Sequence, residues 1–139
     1  MGGSGAGLRR AVASRARGNC EYCRCPEGYV GSTFCVEHIV PKAAGGPTRL
    51  ANLALACPGC NAFKGDKTAG IDPATREAAR LFDPRRDEWE AHFRWSADGF
   101  DLLPLTAIAR VTVAALRLNR PGLRNLRRAL QAIGVHPPE

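Results

Sequence analysis

Two Cys-x2-Cys pairs, Cys20/Cys23 and Cys57/Cys60, bracket the segment Glu37-His38-Ile39-Val40-Pro41, with Asn52 in the second half of the interval and Asn61 directly after the last cysteine. Two residues between cysteines let both thiolates turn onto one metal ion, and two such knuckles complete the tetrahedral four-thiolate shell that zinc prefers. The 33 residues between Cys23 and Cys57 exceed the gap of a minimal zinc ribbon, so something is inserted between the knuckles. Disulfides are the other use of such cysteines. The N-terminus carries no apolar run like a secretory signal and no stretch approaches transmembrane length, so a cytoplasmic, reducing setting is expected, which favours metal over disulfide. Zinc stands ahead of iron because nothing else in the chain suggests electron transfer. Cys25 and Cys35 fall outside the paired spacing and read as buried small residues, Cys25 also as a competitor for the metal.

The polar residues between the knuckles suit hydrolysis of a phosphodiester, which needs a base to activate water, an electrophile to take up charge, and something to fix their geometry. His38 can be the base, since imidazole titrates at about 6.5 and is largely neutral near physiological pH. Glu37 and Asn61 offer hard oxygen ligands for a catalytic Mg²⁺ or Mn²⁺. Adjacent residues of a regular strand point to opposite sides, so Glu37 and His38 share a site only if the strand bends at its end, where Pro41 stands. Asn52 can hold the intervening loop by side-chain to backbone hydrogen bonds, keeping His38 aimed. Taken singly, each of these residues has an ordinary structural use; their company makes them candidates.

The elements that must position them can be read along the chain. Residues 1–7 form a glycine-rich leader without expected structure. Leu8 to Arg17 suits a short basic helix delivering the chain to the first knuckle. Tyr29 to Val36 looks like strand material leading into Glu37 and His38, ended by Pro41. Gly45-Gly46-Pro47 begins a loop that runs to about Asn52, Leu53 to Ala56 is an apolar run able to pack that loop down, and a helix is expected from Asn61 to Lys67. Beyond Asp72 the texture changes. Asp98-Gly99 suggests a hairpin between His92–Ser96 and Phe100–Leu103, with Trp89, Phe93 and Trp95 as packing beneath it. Thr106 can cap a helix to about Leu118, and Pro121 opens another in which Leu123, Leu126, Leu130 and Ile133 recur at helical spacing until Gly134. This gives a core over residues 8–71 and an accessory hairpin-plus-helix region over residues 72–139. His92 and His136 read as structural.

The chain of 139 residues has 20 Lys and Arg against 13 Asp and Glu, a formal charge of +7, which points to a polyanionic partner. Basic residues crowd both ends, and Arg120, Arg124, Arg127 and Arg128 fall on or beside the face of the last helix opposite its leucines. Arginine suits phosphate because its planar fork donates bidentate hydrogen bonds.

Cys20-x2-Cys23, Glu37-His38-Ile39-Val40-Pro41, Gly45-Gly46, Asn52-Leu53, Cys57-x2-Cys60-Asn61 and Lys64-Gly65 together resemble the four-cysteine zinc branch of the HNH endonucleases in its His-Asn-Asn variant, over roughly residues 17 to 67. The resemblance implies an α+β fold with a zinc-stapled ββα-metal (His-Me finger) core, one catalytic divalent ion, and DNA cleavage leaving 5′-phosphate and 3′-hydroxyl ends. It implies His38 as general base, Glu37 and Asn61 as ligands of the catalytic metal, Asn52 as orienting residue and Lys64 as a contact to backbone phosphate. Glu37 stands where Asp is commoner, and Asn61 where the last His often stands. The segment from Asp72 onward resembles an extension on some small stand-alone proteins of the group.

The expectation is therefore a divalent-metal-dependent endonuclease acting on DNA, with Zn²⁺ structural and Mg²⁺ or Mn²⁺ catalytic, no membrane partner and a homodimer as one option for its assembly. Two rivals stand beside it: a zinc-ribbon-like module that grips nucleic acid without cutting it, and an interaction protein whose arginine-rich helix meets an acidic partner.

Overall fold

The computed structural model describes residues 4–139 of the chain and divides into two compact units, Met1–Asp66 and Lys67–Glu139. It is an α+β structure of small antiparallel sheets and helices.

In the first unit, helix α1 spans Ser4–Arg15 and buries Val12 completely. It takes in residues 4–7, which the glycine content of the leader had set aside as unstructured; residues 1–3 lie outside the described residues. Two of its arginines work as tethers rather than as a basic surface. Arg9 donates to the Phe34 carbonyl at 2.8 Å, and Arg15 to the carbonyls of Leu50 and Leu53 at 2.9 and 2.6 Å.

Strand β1 is short, Cys35–His38, and pairs antiparallel with β2, Leu53–Ala56, with Glu37 opposite Ala54 and His38 opposite Leu53. The longer strand expected from Tyr29 does not form. Residues 27–29 make a 3-10 turn, and the Phe34 amide donates to the Glu27 carboxylate at 2.7 Å while its carbonyl takes Arg9, so side chains satisfy backbone groups that a ladder would otherwise use. All four residues of β2 are buried, because α1 and α2 both pack on this strand.

Helix α2 runs Pro58–Lys64, beginning inside the second knuckle rather than after it. Cys57 is its cap, its sulfur accepting from the Cys60 amide at 3.4 Å, and Pro58 takes the first-turn position, where its missing N–H is not needed.

The second unit has two hairpins and three helices. β3 (Ala69–Ile71) pairs with β4 (Ala78–Arg80), so residues 67–71 fall with this unit. α3 (Trp89–His92) leads into β5 (Phe93–Trp95), which pairs with β6 (Leu102–Pro104) across the Asp98-Gly99 turn, Gly99 having a φ of 86°. α4 (Ala107–Leu116) is capped by Thr106, whose hydroxyl accepts from the Ala109 amide at 3.1 Å, and α5 (Pro121–Ala132) follows. Leu81, Phe82, Phe93, Leu102, Ala109, Val111, Leu116 and Leu118 form its core, and Trp89 stacks at 5.3 Å from Phe93 and 5.7 Å from Trp95. Polar contacts tie the pieces: Arg110 grips Asp72 through two 2.9 Å hydrogen bonds, and Arg80 grips Asp87 at 2.7 and 2.8 Å. No helix among the described residues is long and apolar enough to cross a membrane.

Candidate metal centre and active site

Folding brings both knuckles together. The sulfurs of Cys20, Cys23, Cys57 and Cys60 lie within 4.8 Å of one another, and all four residues are buried. The Cys23 and Cys60 amides point at the sulfurs of Cys20 and Cys57, at 3.5 and 3.4 Å, donating to thiolates as knuckle turns do around a metal. Four soft donors, convergent and shielded from water, fit zinc. Cys25 lies next to the cluster, its sulfur 3.3 Å from that of Cys23, but outside the four-sulfur group, and Cys35 stands apart on β1. The first knuckle is stitched to β2 through Glu21: its amide donates to the Leu55 carbonyl at 2.8 Å and its carboxylate accepts from the Leu55 amide at 2.9 Å.

Along β1 the side chains alternate as strand geometry requires, and this separates Glu37 from His38. Glu37 faces inward and is only 5% exposed. It accepts from the Tyr22 hydroxyl at 2.8 Å and forms an ion pair with Lys64, which is 1% exposed. The Lys64 ammonium also donates to the carbonyls of Ile39 and His38, at 2.9 and 3.3 Å. Lys64 thus reaches from α2 to the end of β1 and fixes the backbone on which His38 is carried. Burial, with the Glu37 charge beside it, pushes the Tyr22 phenol well above its usual range, so it remains a donor.

Two sequence expectations meet a different arrangement here. Lys64 is interior, with no exposed ammonium for a phosphate. Glu37 is closed over by Tyr22 and Lys64, so a divalent ion bound to it would have to displace a buried ammonium from its carboxylate. A strand that stays regular through His38 is the physical reason, since the bend that would bring both side chains to one side is absent. Asn61 is half-buried at the fourth position of α2, after Pro58–Gly59–Cys60, and its side-chain amide makes no hydrogen bond among the described residues.

His38 emerges on the outer side, partly exposed, its Nε2 2.8 Å from the Thr48 hydroxyl. Desolvation first, then the charges of Lys42 and Lys64, lower its pKa below the ordinary 6.5 and favour the neutral ring. Asn52, buried to 7% exposure, holds the loop beside it: Oδ1 accepts from the Val40 amide at 2.9 Å, and Nδ2 donates to the carbonyls of Val40 and Pro47 at 3.0 and 2.9 Å. The same loop closes so tightly at Gly46 that an added Cβ would lie 1.7 Å from the Val40 carbonyl oxygen.

The four arginines of the last helix do not form one open face. Arg127 falls between Leu123 and Leu130 in the i, i+4, i+7 stripe, is 3% exposed, and donates to the carbonyls of Phe100 and Leu118 and to Asn119. Arg124 pairs with Asp101 at 2.7 Å, and Arg120 turns back on the Leu116 and Arg117 carbonyls. Arg128 is exposed, its guanidinium 5.3 Å from the Phe100 ring centroid.

Tyr22, Glu21, Arg15 and Thr48 escaped the sequence reading. Glu21 and Tyr22 are the two residues inside the first Cys-x2-Cys, where a buried hydrogen-bonding role was open to them, whereas Arg15 and Thr48 act across 35 and 10 residues and leave no local signal.

The family model described as HNH endonuclease matches residues 20–67, the span from the first knuckle through α2. No curated protein and no solved structure matches the chain. With both knuckles closed on one cluster and the matched span folded around them, residues 20–67 match the HNH endonuclease domain, which points to a nuclease-type or nucleic-acid-related function.

Proposed function

We propose that this chain is an endonuclease that hydrolyses DNA phosphodiester bonds, with His38 as the base that activates water and zinc in the four-cysteine site as a structural ion. The observation that carries this reading is a partly exposed imidazole at the end of β1, hydrogen-bonded to Thr48 beside a loop clamped by Asn52, in surroundings that lower its pKa and favour the neutral ring. The antiparallel pair β1–β2 followed directly by α2, with a cysteine knuckle at the start of the helix, supports a ββα-metal core.

In the reaction, the His38 imidazole takes a proton from water as the water oxygen bonds to phosphorus, and the P–O3′ bond breaks; the departing O3′ takes a proton from solvent, leaving 5′-phosphate and 3′-hydroxyl ends. Negative charge builds on the phosphate oxygens. Lys42 and Arg49, both exposed on the loop between β1 and β2, are the cations of this unit best placed in sequence to meet it. Lys64 and Asn52 hold backbone. A divalent ion bound through Glu37 does not fit the residues as they stand; held beside the phosphate by other oxygens, a divalent ion would offset this charge. Asn61 remains the available oxygen ligand of the predicted pair. For contacts to DNA outside this unit, Arg128 is the exposed candidate on α5 and Arg127 is part of the interior.

The closed state of Glu37 also favours one other reading, a non-catalytic nucleic-acid-binding module on the same zinc-stapled frame. Plasmid nicking by zinc-loaded wild type and His38→Ala, with Mg²⁺ and Mn²⁺ titrated separately, decides between them. Divalent-dependent cutting that disappears in the variant is the expected result. A wild type that shifts the plasmid on a gel but never nicks it would establish the binding module.

A further inference from the structure

The hydrogen bonds around the candidate base run in one direct line. Asn52 Nδ2 holds the Pro47 carbonyl at 2.9 Å, Pro47 is followed by Thr48, and the Thr48 hydroxyl lies 2.8 Å from His38 Nε2. Asn52 therefore reaches the imidazole through Thr48, while Lys64 fixes the strand end beneath it. A hydroxyl both donates and accepts, and a neutral imidazole has one nitrogen of each kind, so the partner of Nε2 decides what Nδ1 is free to do. His38 Nδ1 has no partner among the described residues. If Nε2–H donates to Thr48, Nδ1 presents a bare lone pair, and the hydroxyl's own hydrogen remains available for a phosphate oxygen.

We propose that Thr48 is the positioning residue of this site: it accepts the Nε2 proton of His38, fixing the ring in the tautomer whose Nδ1 takes the proton from water. The inference rests on His38 being the base. Thr48 is exposed, so Thr48→Val, which keeps the shape and removes the hydroxyl, should leave the fold in place.

The test uses the full zinc-loaded chain and two measurements. The ¹⁵N shifts of the His38 ring nitrogens report the tautomer directly, and plasmid nicking reports kcat and KM. Wild type should carry its proton on Nε2. Thr48→Val should give a mixed tautomer and lower kcat roughly tenfold with KM unchanged, as one lost hydrogen bond implies, and Thr48→Ser should restore both. Combining Thr48→Val with Asn52→Ala should cost less than the product of the two separate losses, because both act on one line of contacts. Wild type protonated on Nδ1, or a Thr48→Val variant with unchanged tautomer and unchanged kcat, overturns the proposal. His38→Ala cutting as fast as wild type would instead remove His38 as base, and the ring shifts would still decide whether Thr48 fixes the tautomer.

Discussion

Asn52 and Asn119 do the same thing with their amides in two different surroundings. Asn52 bonds both the amide and the carbonyl of Val40, and Asn119 both those of Leu102, each side chain standing in for a neighbouring strand. Around Asn119 lies an apolar core, and Arg127 pins the amide from behind. Around Asn52 lies an exposed loop, and the interior of its unit joins the apolar strand Leu53–Ala56 to a cluster of four sulfurs and a buried ion pair. On the proposed reading the same clamp is a packing device in the second unit and an aiming device in the first. A unit that must leave an imidazole open at its surface has fewer apolar groups to bury, and zinc supplies the stability that burial would otherwise provide.

The strongest way to break that contrast is to take the metal away. Chelation, or Cys57→Ser, should remove on the order of 10 kcal/mol of binding free energy from the first unit. Amide exchange at Leu53–Ala56 should then become fast while exchange at Leu102 stays slow; equal protection in both units after zinc loss would dissolve the distinction. Replacing the base acts on chemistry alone. His38→Ala should lower nicking by about 10²- to 10⁴-fold with zinc content and amide protection unchanged.

The buried ion pair comes next. Lys64→Met strands the Glu37 carboxylate, and its cost of about 3–5 kcal/mol should appear in urea unfolding of the first unit, with a Glu37→Gln/Lys64→Met pair recovering much of it. Asn52→Ala and Asn119→Ala should each destabilise by roughly 1–3 kcal/mol, but only the first should slow nicking. If both slow it alike, the two clamps are not functionally different.

The mildest test is acid. Hydrogen bonds from Arg80 lower Asp87 from 3.8 to about 2, and Arg110 holds Asp72 below its usual range. A carboxylate with a depressed folded pKa gives stability that is present above its unfolded value and is lost as pH falls through the folded one. The second unit should therefore weaken between about pH 4 and pH 2, and Arg80→Ala should flatten that dependence in a thermal melt followed by Trp fluorescence.

What the sequence disclosed was what spacing can carry. The paired cysteines named the metal shell, Thr106 and Pro121 marked two helix starts, and the Asp98-Gly99 turn gave the hairpin. Beyond element boundaries, the differences at the site concern which way a long polar side chain turns. Arg127 was placed outside because arginines seldom sit in a leucine stripe, and its three buried partners come from residues 100, 118 and 119, which periodicity does not link. A phosphate contact is what the sequence suggests for Lys64, because nothing local says that α2 packs against the inner side of β1 and brings it to Glu37. Strand alternation did forecast that Glu37 and His38 would part; the bend that was needed to reunite them is what the fold lacks.

Gly46 gives the loop a property of another kind. Its neighbour Gly45 is constrained by backbone handedness, at a φ of 86°, and has open space where a Cβ would go, so asparagine can serve there. Gly46 is constrained by sheer room. In a saturation library selected for cutting, position 46 should return glycine alone, and every substitution there should share the phenotype of a lost Asn52, because the atom an extra methyl strikes is the carbonyl that Asn52 holds.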